Sequence, residues 1–319
     1  MMFARMPNLS FIRLYESKFF IYSFSTIILI SVCSLFFKSF GFAWNFNLAQ
    51  VYEVRAQFAT KGIPLVGYFV KWVCYVINPL LFSLFWIQKR WVALGAVIFI
   101  QLYIFSCAGH KTFIFAFFFV GVFFLIAGKK YSLVCLTAGL AIIVLLGIIS
   151  NLVIGDLWIP TLFTRRLLFT QPKLYYAYYD FFSQNPQIYL SVHSFFNSLI
   201  DYPYDIFPPA KMMGDVLYGK IETSANTGLV GDAYMNFGYI GLFMWAVITG
   251  VIIKLIDSLS SGIDIRLASA CIAMPMLSLI NSALLTNILT HGLGVALLFL
   301  YLASSSKFKL KQQRAMEQI

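Results

Sequence analysis

Long apolar runs separated by short polar breaks extend from residue 19 to residue 302. A helix needs about 20 apolar residues to cross a bilayer. The runs at 19–37, 65–86, 91–107, 112–127, 131–153, 229–253, 267–285 and 288–302 meet or approach that length. The pattern predicts an all-α polytopic membrane protein with about eight transmembrane helices, and an even number of crossings puts both termini on one side. The interruption at 154–228 is too long for a simple connector, and long structured loops on compact scaffolds are usually functional. It is predicted to be a large extracytoplasmic loop. A shorter outer loop runs from Gly41 to Pro64. No internal repeat, low-complexity tract or soluble domain is visible, so a single integral membrane domain, 1–319, is expected.

Composition agrees with this pattern. Of 319 residues, 61% are hydrophobic and 11% charged, against about 25% charged in soluble domains. The abundant phenylalanines and tyrosines suit lipid-facing helices and interfacial belts. A net charge of +11 raises nucleic acid as a partner, but no basic run is long enough to support one. Arg5, Arg13, Lys18, Lys89, Arg90, Lys129, Lys130, Lys254, Arg266, Lys307, Lys309, Lys311 and Arg314 all fall on one side of the predicted layout. The positive-inside rule makes that side, with both termini, cytoplasmic. The cysteines stand singly in apolar runs and read as packing residues. A polar arm precedes the first apolar run, and no small-residue cleavage site follows, so an uncleaved anchor is expected.

Charge changes the picture in the outer loop, where cations should be rare. It carries Arg165, Arg166, Lys173, Lys211 and Lys220. The stretch TRRLLFTQPKLYYAYYDFF at 164–182 sets two arginines before a tyrosine cluster. Pro172 suits a first helical turn, after which Tyr175, Tyr178 and Tyr179 fall near one another at i, i+3 and i, i+4 spacing. Guanidinium groups bind phosphate through bidentate contacts, and aromatic faces offer flat platforms. A ligand with a sugar and a phosphate fits both. The plainer alternative is an interfacial amphipathic helix with its arginines on lipid phosphates.

A second stretch, SANTGLVGDAYMNFGYIG at 224–241, re-enters the membrane. Asp232 and Asn236 lie four apart and share a helical face, and an ionisable residue near a membrane helix is a functional candidate. The plainer alternative is a tight glycine-lined helix interface with Asp232 at headgroup level. Further polar groups reach the outer surface in VYEVR (Tyr52, Glu53, Arg55), GHK (Gly109, His110, Lys111) and LLTNILTHGL near His291. Lys71 is the clear mid-span charge.

The sequence lacks a phosphate-binding G-x-x-x-x-G-K-[ST] loop, H-E-x-x-H and G-x-S-x-G. It also lacks a D-x-D pair to seat a divalent metal. No cofactor and no metal are expected, so a substrate would arrive already activated.

In order, YEVR, GHKT, RRLLFTQPKLYYAYYDFFSQNP and SANTGLVGDAYMNFGYIG resemble the bacterial oligosaccharide repeat-unit polymerases, the Wzy-type O-antigen and capsule polymerases. The resemblance runs from about residue 50 onward and is strongest from Arg165 to Gly241. It implies a GT-C-like membrane glycosyltransferase in the bacterial inner membrane, which joins undecaprenyl-pyrophosphate-linked repeat units at the outer face. The donor and acceptor are lipid-linked oligosaccharides, and a chain-length regulator and a flippase are the implied partners. Catalytic roles are expected for Arg165 and Arg166, with Asp232, Glu53 and His110 as alternative bases. Arg55, Lys111, Tyr175, Tyr176, Tyr178, Tyr179, Asn226 and Asn236 are expected to bind substrate. Family members usually have about ten or more spans, and this chain shows fewer. An O-antigen ligase and a lipid-linked oligosaccharide flippase are the competing functions.

Overall fold

The computed structural model describes residues 6–11, 17–42, 44–47, 50–61, 65–155, 164–165, 168–193 and 195–305. Among these residues every regular element is helical. The helices are α1 (Ser17–Phe40), α2 (Val51–Thr60), α3 (Val66–Trp72), α4 (Asn78–Ile87), α5 (Trp91–Ala108), α6 (Lys111–Ile126) and α7 (Ser132–Ile154). They continue as α8 (Gln171–Gln184), α9 (Pro209–Tyr218), α10 (Leu229–Ser260), α11 (Ile265–Ser278), α12 (Leu284–Leu289) and α13 (Leu293–Ser305). Among the described residues five stretches are helical, long and apolar enough to cross a membrane: Phe19–Phe40, Val66–Ile87, Trp91–Ala108, Ser132–Val153 and Leu229–Ser260. The apolar helices Lys111–Ile126, Ile265–Ser278 and Leu293–Ser304 are shorter.

The helix expected over 267–285 instead ends at Ser278. Pro275 has no N–H for the helical ladder, and its carbonyl accepts from the Asn287 amide at 2.9 Å. Beyond the break, the carbonyls of Leu279 and Ile280 accept from Leu229 N and the Tyr175 hydroxyl. The expected outer loops also contain helices α2, α8 and α9. Pro172 lies in the first turn of α8, as its fixed φ favours.

The chain divides into two compact units. One comprises 1–129, 252–277 and 286–319, and the other 130–251 and 278–285. In the first unit α5 packs against α1, α2, α4 and α6, and α1 against α13. Phe36, Ile77, Ile104, Phe105, Phe113 and Phe299 fill its core. α3 runs into α4 through a π-helical turn, Val73–Ile77. Buried Gln101 answers the polar needs of that turn, donating to the carbonyls of Cys74 (3.3 Å) and Phe113 (2.7 Å) while accepting from Asn78 (2.8 Å). At the α10–α11 turn, Asp264 accepts from the backbone and guanidinium of Arg266, which also lies over the Phe124 ring.

In the second unit, α7 is almost wholly exposed and strongly apolar, with 6% of its best window buried. That surface suits contact with lipid. α8 and α9 share a separate core, in which Leu174, Tyr178 and Phe182 of α8 meet Met212, Met213, Ile188 and Met235.

Candidate functional site

Three stretches that sequence places far apart converge in the first unit. Gly109 ends α5 at φ +65°, and a Cβ there would lie 2.7 Å from the Val51 carbonyl and 3.0 Å from Arg55 N. Only a glycine lets α2 approach the α5–α6 turn this closely. The half-buried Arg55 uses the approach to donate an Nη–H to the Gly109 carbonyl at 3.3 Å. Next to it, His110 precedes α6 and packs against Phe58 and Phe113. Glu53 is exposed in the first turn of α2, and half-buried Lys111 opens α6.

The third contribution comes from Lys71 and His291, 220 positions apart, with Nζ and Nε2 at 2.8 Å. Trp72 donates its indole N–H to the Leu289 carbonyl, and Gly292 (φ +89°) allows the chain against Val76 and Trp72. His291 also faces the Tyr75 ring, whose hydroxyl bonds Thr112 at 3.1 Å. The Lys71 partner is therefore an imidazole, and no carboxylate among the described residues forms an ion pair with it. Burial, followed by the positive charges of Arg55 and Lys71, holds His110 down at about 4. At neutral pH that ring is uncharged and a weak base, which argues against the proton-transfer role expected of it. The cluster gathers the positive charges of Arg55 and Lys71 around His110 and suits an anionic group.

The second unit holds the Asp232 carboxylate, 1% exposed. Its oxygens accept from Trp245 Nε1 (2.8 Å), Leu284 N (3.0 Å) and Asn236 Nδ2 (3.1 Å). Asn236 is buried too, and its Oδ1 accepts from Leu190 N at 2.7 Å. A buried carboxyl group held by three protein donors acts as a brace. This occupation argues for Asp232 as a brace and against its role as a base, and for Asn236 as an internal tie.

The tyrosines separate according to the face of α8 they occupy. Tyr178 is 1% exposed, a core residue whose hydroxyl donates to the Ala225 carbonyl, and burial pushes its phenol up. The substrate-binding expectation for it meets a closed environment. Tyr175 is half-buried with its hydroxyl on Ile280, while Tyr176 and Tyr179 are exposed. Asn226 is exposed. Arg165 is exposed, and its carbonyl accepts from Thr170. Arg166 lies outside the described residues.

Sequence inspection did not single out Lys71 and His291 together, or Trp245, Tyr189 and Tyr239. Lys71 had a signal, since a charge within a span is a functional candidate. His291 and Trp245 had none without their partners. No family model, curated protein or solved structure matches the chain.

Proposed function

We propose that the chain is a lipid-linked oligosaccharide repeat-unit polymerase of the Wzy type, a glycosyltransferase of the bacterial inner membrane. In this account it makes eight crossings, including the three shorter apolar helices, on a GT-C-like scaffold with both termini cytoplasmic. The observation that supports it most is the convergence of Arg55 and Lys71 beside His110 and His291. Anionic substrate delivered at a membrane surface needs fixed cations, and an undecaprenyl pyrophosphate leaving group supplies the matching anion.

The acceptor hydroxyl oxygen attacks the anomeric carbon of the donor glycan. The bond from that carbon to the pyrophosphate oxygen breaks, and the bonding pair leaves on the lipid pyrophosphate. Arg55, Lys71 and Lys111 offset the charge that builds there. The acceptor proton passes to a base. Of the three proposed from sequence, Glu53 is the exposed carboxylate, whereas Asp232 is fully engaged and His110 is weakly basic.

Deleting the gene tests this reading through the electrophoretic profile of surface polysaccharide. Collapse of the ladder to core bearing one repeat unit, restored by complementation, is the expected outcome. Loss of all surface repeat units with accumulation of lipid-linked polymer identifies a ligase instead. Accumulation of single lipid-linked units on the inner side identifies a flippase.

A further inference from the structure

Two irregular pieces of backbone meet in the second unit. Tyr189 and Leu190 take φ of +47° and +66°, a region that bulky residues rarely occupy. Against them, α10 breaks at Phe237 and Gly238, where φ is +59° and ψ −139° at the glycine. A Cβ at Gly238 would lie 2.6 Å from the Gln187 amide nitrogen. Ile188 N donates to the Met235 carbonyl at 3.0 Å, and Leu190 N to Asn236 Oδ1 at 2.7 Å. Asp232, anchored by Trp245 and Leu284, holds Asn236 in turn. Strained backbone persists only where its surroundings over-determine it, and it concentrates at binding sites.

Aromatic rings stand outward on both sides of this junction. Tyr189 is 49% exposed, with its ring 5.9 Å from that of Phe237. Tyr239 and Tyr179 are 67% and 44% exposed, and their hydroxyls meet at 3.1 Å. Buried Tyr234 lies beneath them, its ring 4.9 Å from that of Tyr179 and 5.5 Å from that of Tyr239. Two phenols bonded to each other still offer one O–H and spare lone pairs. Tyrosine also provides rigid amphipathic area at low entropic cost.

We propose that Tyr179, Tyr189 and Tyr239 form a glycan-binding surface, with pyranose faces against the rings and sugar hydroxyls on the paired phenols. The ligand class, an oligosaccharide, rests on the polymerase reading. The exposed Ile240 and Phe243 follow Tyr239 directly and suit lipid. A tyrosine serving only as an interfacial anchor there needs neither a hydroxyl partner nor a braced, strained turn opposite it.

The test uses the full chain in nanodiscs and saturation-transfer NMR with maltohexaose, chitohexaose and the oligosaccharide released by mild acid from the host's lipid-linked units. Transfer to at least one probe is expected, with affinity reduced about tenfold by Tyr239→Ala or Tyr179→Ala, the scale of one lost aromatic contact. Tyr239→Phe keeps the ring and is expected to retain most of the affinity, and unchanged unfolding midpoints show that all three variants fold. Absence of transfer from every probe overturns the proposal. So does unchanged transfer in Tyr239→Ala accompanied by altered quenching from brominated lipids, which would mark a bilayer anchor. A normal surface ladder in the deletion strain with glycan still bound at the tyrosines removes the polymerase reading and keeps this surface. A collapsed ladder without glycan binding does the reverse.

Discussion

The two polar centres use their ionisable groups in opposite ways. In the second unit, Asp232 receives an indole N–H, a backbone N–H and an amide N–H, all from the protein itself. In the first, Lys71 meets an imidazole, and Arg55 donates to a carbonyl. A carboxylate whose oxygens are taken up by three protein donors acts on the fold, whereas an ammonium with three donors, one of them directed at an imidazole, keeps capacity for an incoming anion. Spare hydrogen-bonding capacity at the ionisable group, more than the depth of burial, separates a brace from a site.

Removing the cations gives the largest expected effect. Lys71→Ala and Arg55→Ala should each lower polymer formation on the order of a hundredfold to a thousandfold, with unchanged protein level on immunoblots. Full-length ladders from both variants would break the comparison. Asp232→Ala should act on the fold instead, costing on the order of 3 kcal/mol because Trp245 and Leu284 lose their acceptor. A thermal melt in detergent reads this directly. Normal melting with abolished activity would make Asp232 chemical and overturn its role as a brace.

A smaller effect sharpens the geometry of the first centre. Gly109→Ala places a Cβ against the Val51 carbonyl in a left-handed turn, and about 1–3 kcal/mol of strain is expected. Polymer length should fall as α2 is displaced, even though no charge is lost. Unchanged length and unchanged melting would show that the close approach is not needed.

The smallest effect is a pH dependence. His110 is held at about 4, below its ordinary 6.5, so the folded state binds fewer protons than the unfolded state between those values. Its contribution is therefore fully present above pH 6.5 and is lost as pH falls towards 4. His110→Asn should flatten the decline of the melting temperature across that window. An identical slope in the variant would place His110 in a more open setting than the structure shows.

Much of the helical architecture was legible in the apolar runs, because a lipid-facing helix shows its length directly in sequence. The early end of α11 was less visible, because the donors that hold the Leu279 and Ile280 carbonyls beyond it come from distant segments. Spacing grouped Tyr175, Tyr178 and Tyr179 without showing which side of α8 faced inward. The i, i+4, i+8 stripe of Leu174, Tyr178 and Phe182 carried that signal, and all three are core residues. Arg55 and His110 were visible as polar groups in the breaks between apolar runs. Their link to Lys71 and His291 was hidden, since it depends on tertiary packing across 220 positions.

The most direct test of the central claim is elongation in a purified system. The full chain would be reconstituted in liposomes with lipid-linked repeat units extracted from the deletion strain, and the glycan products resolved by length. The account predicts multi-unit chains on lipid from the wild type and single units from the Arg55→Ala, Lys71→Ala double variant. Absence of elongation by the folded wild type, or equal elongation by the double variant, would contradict it.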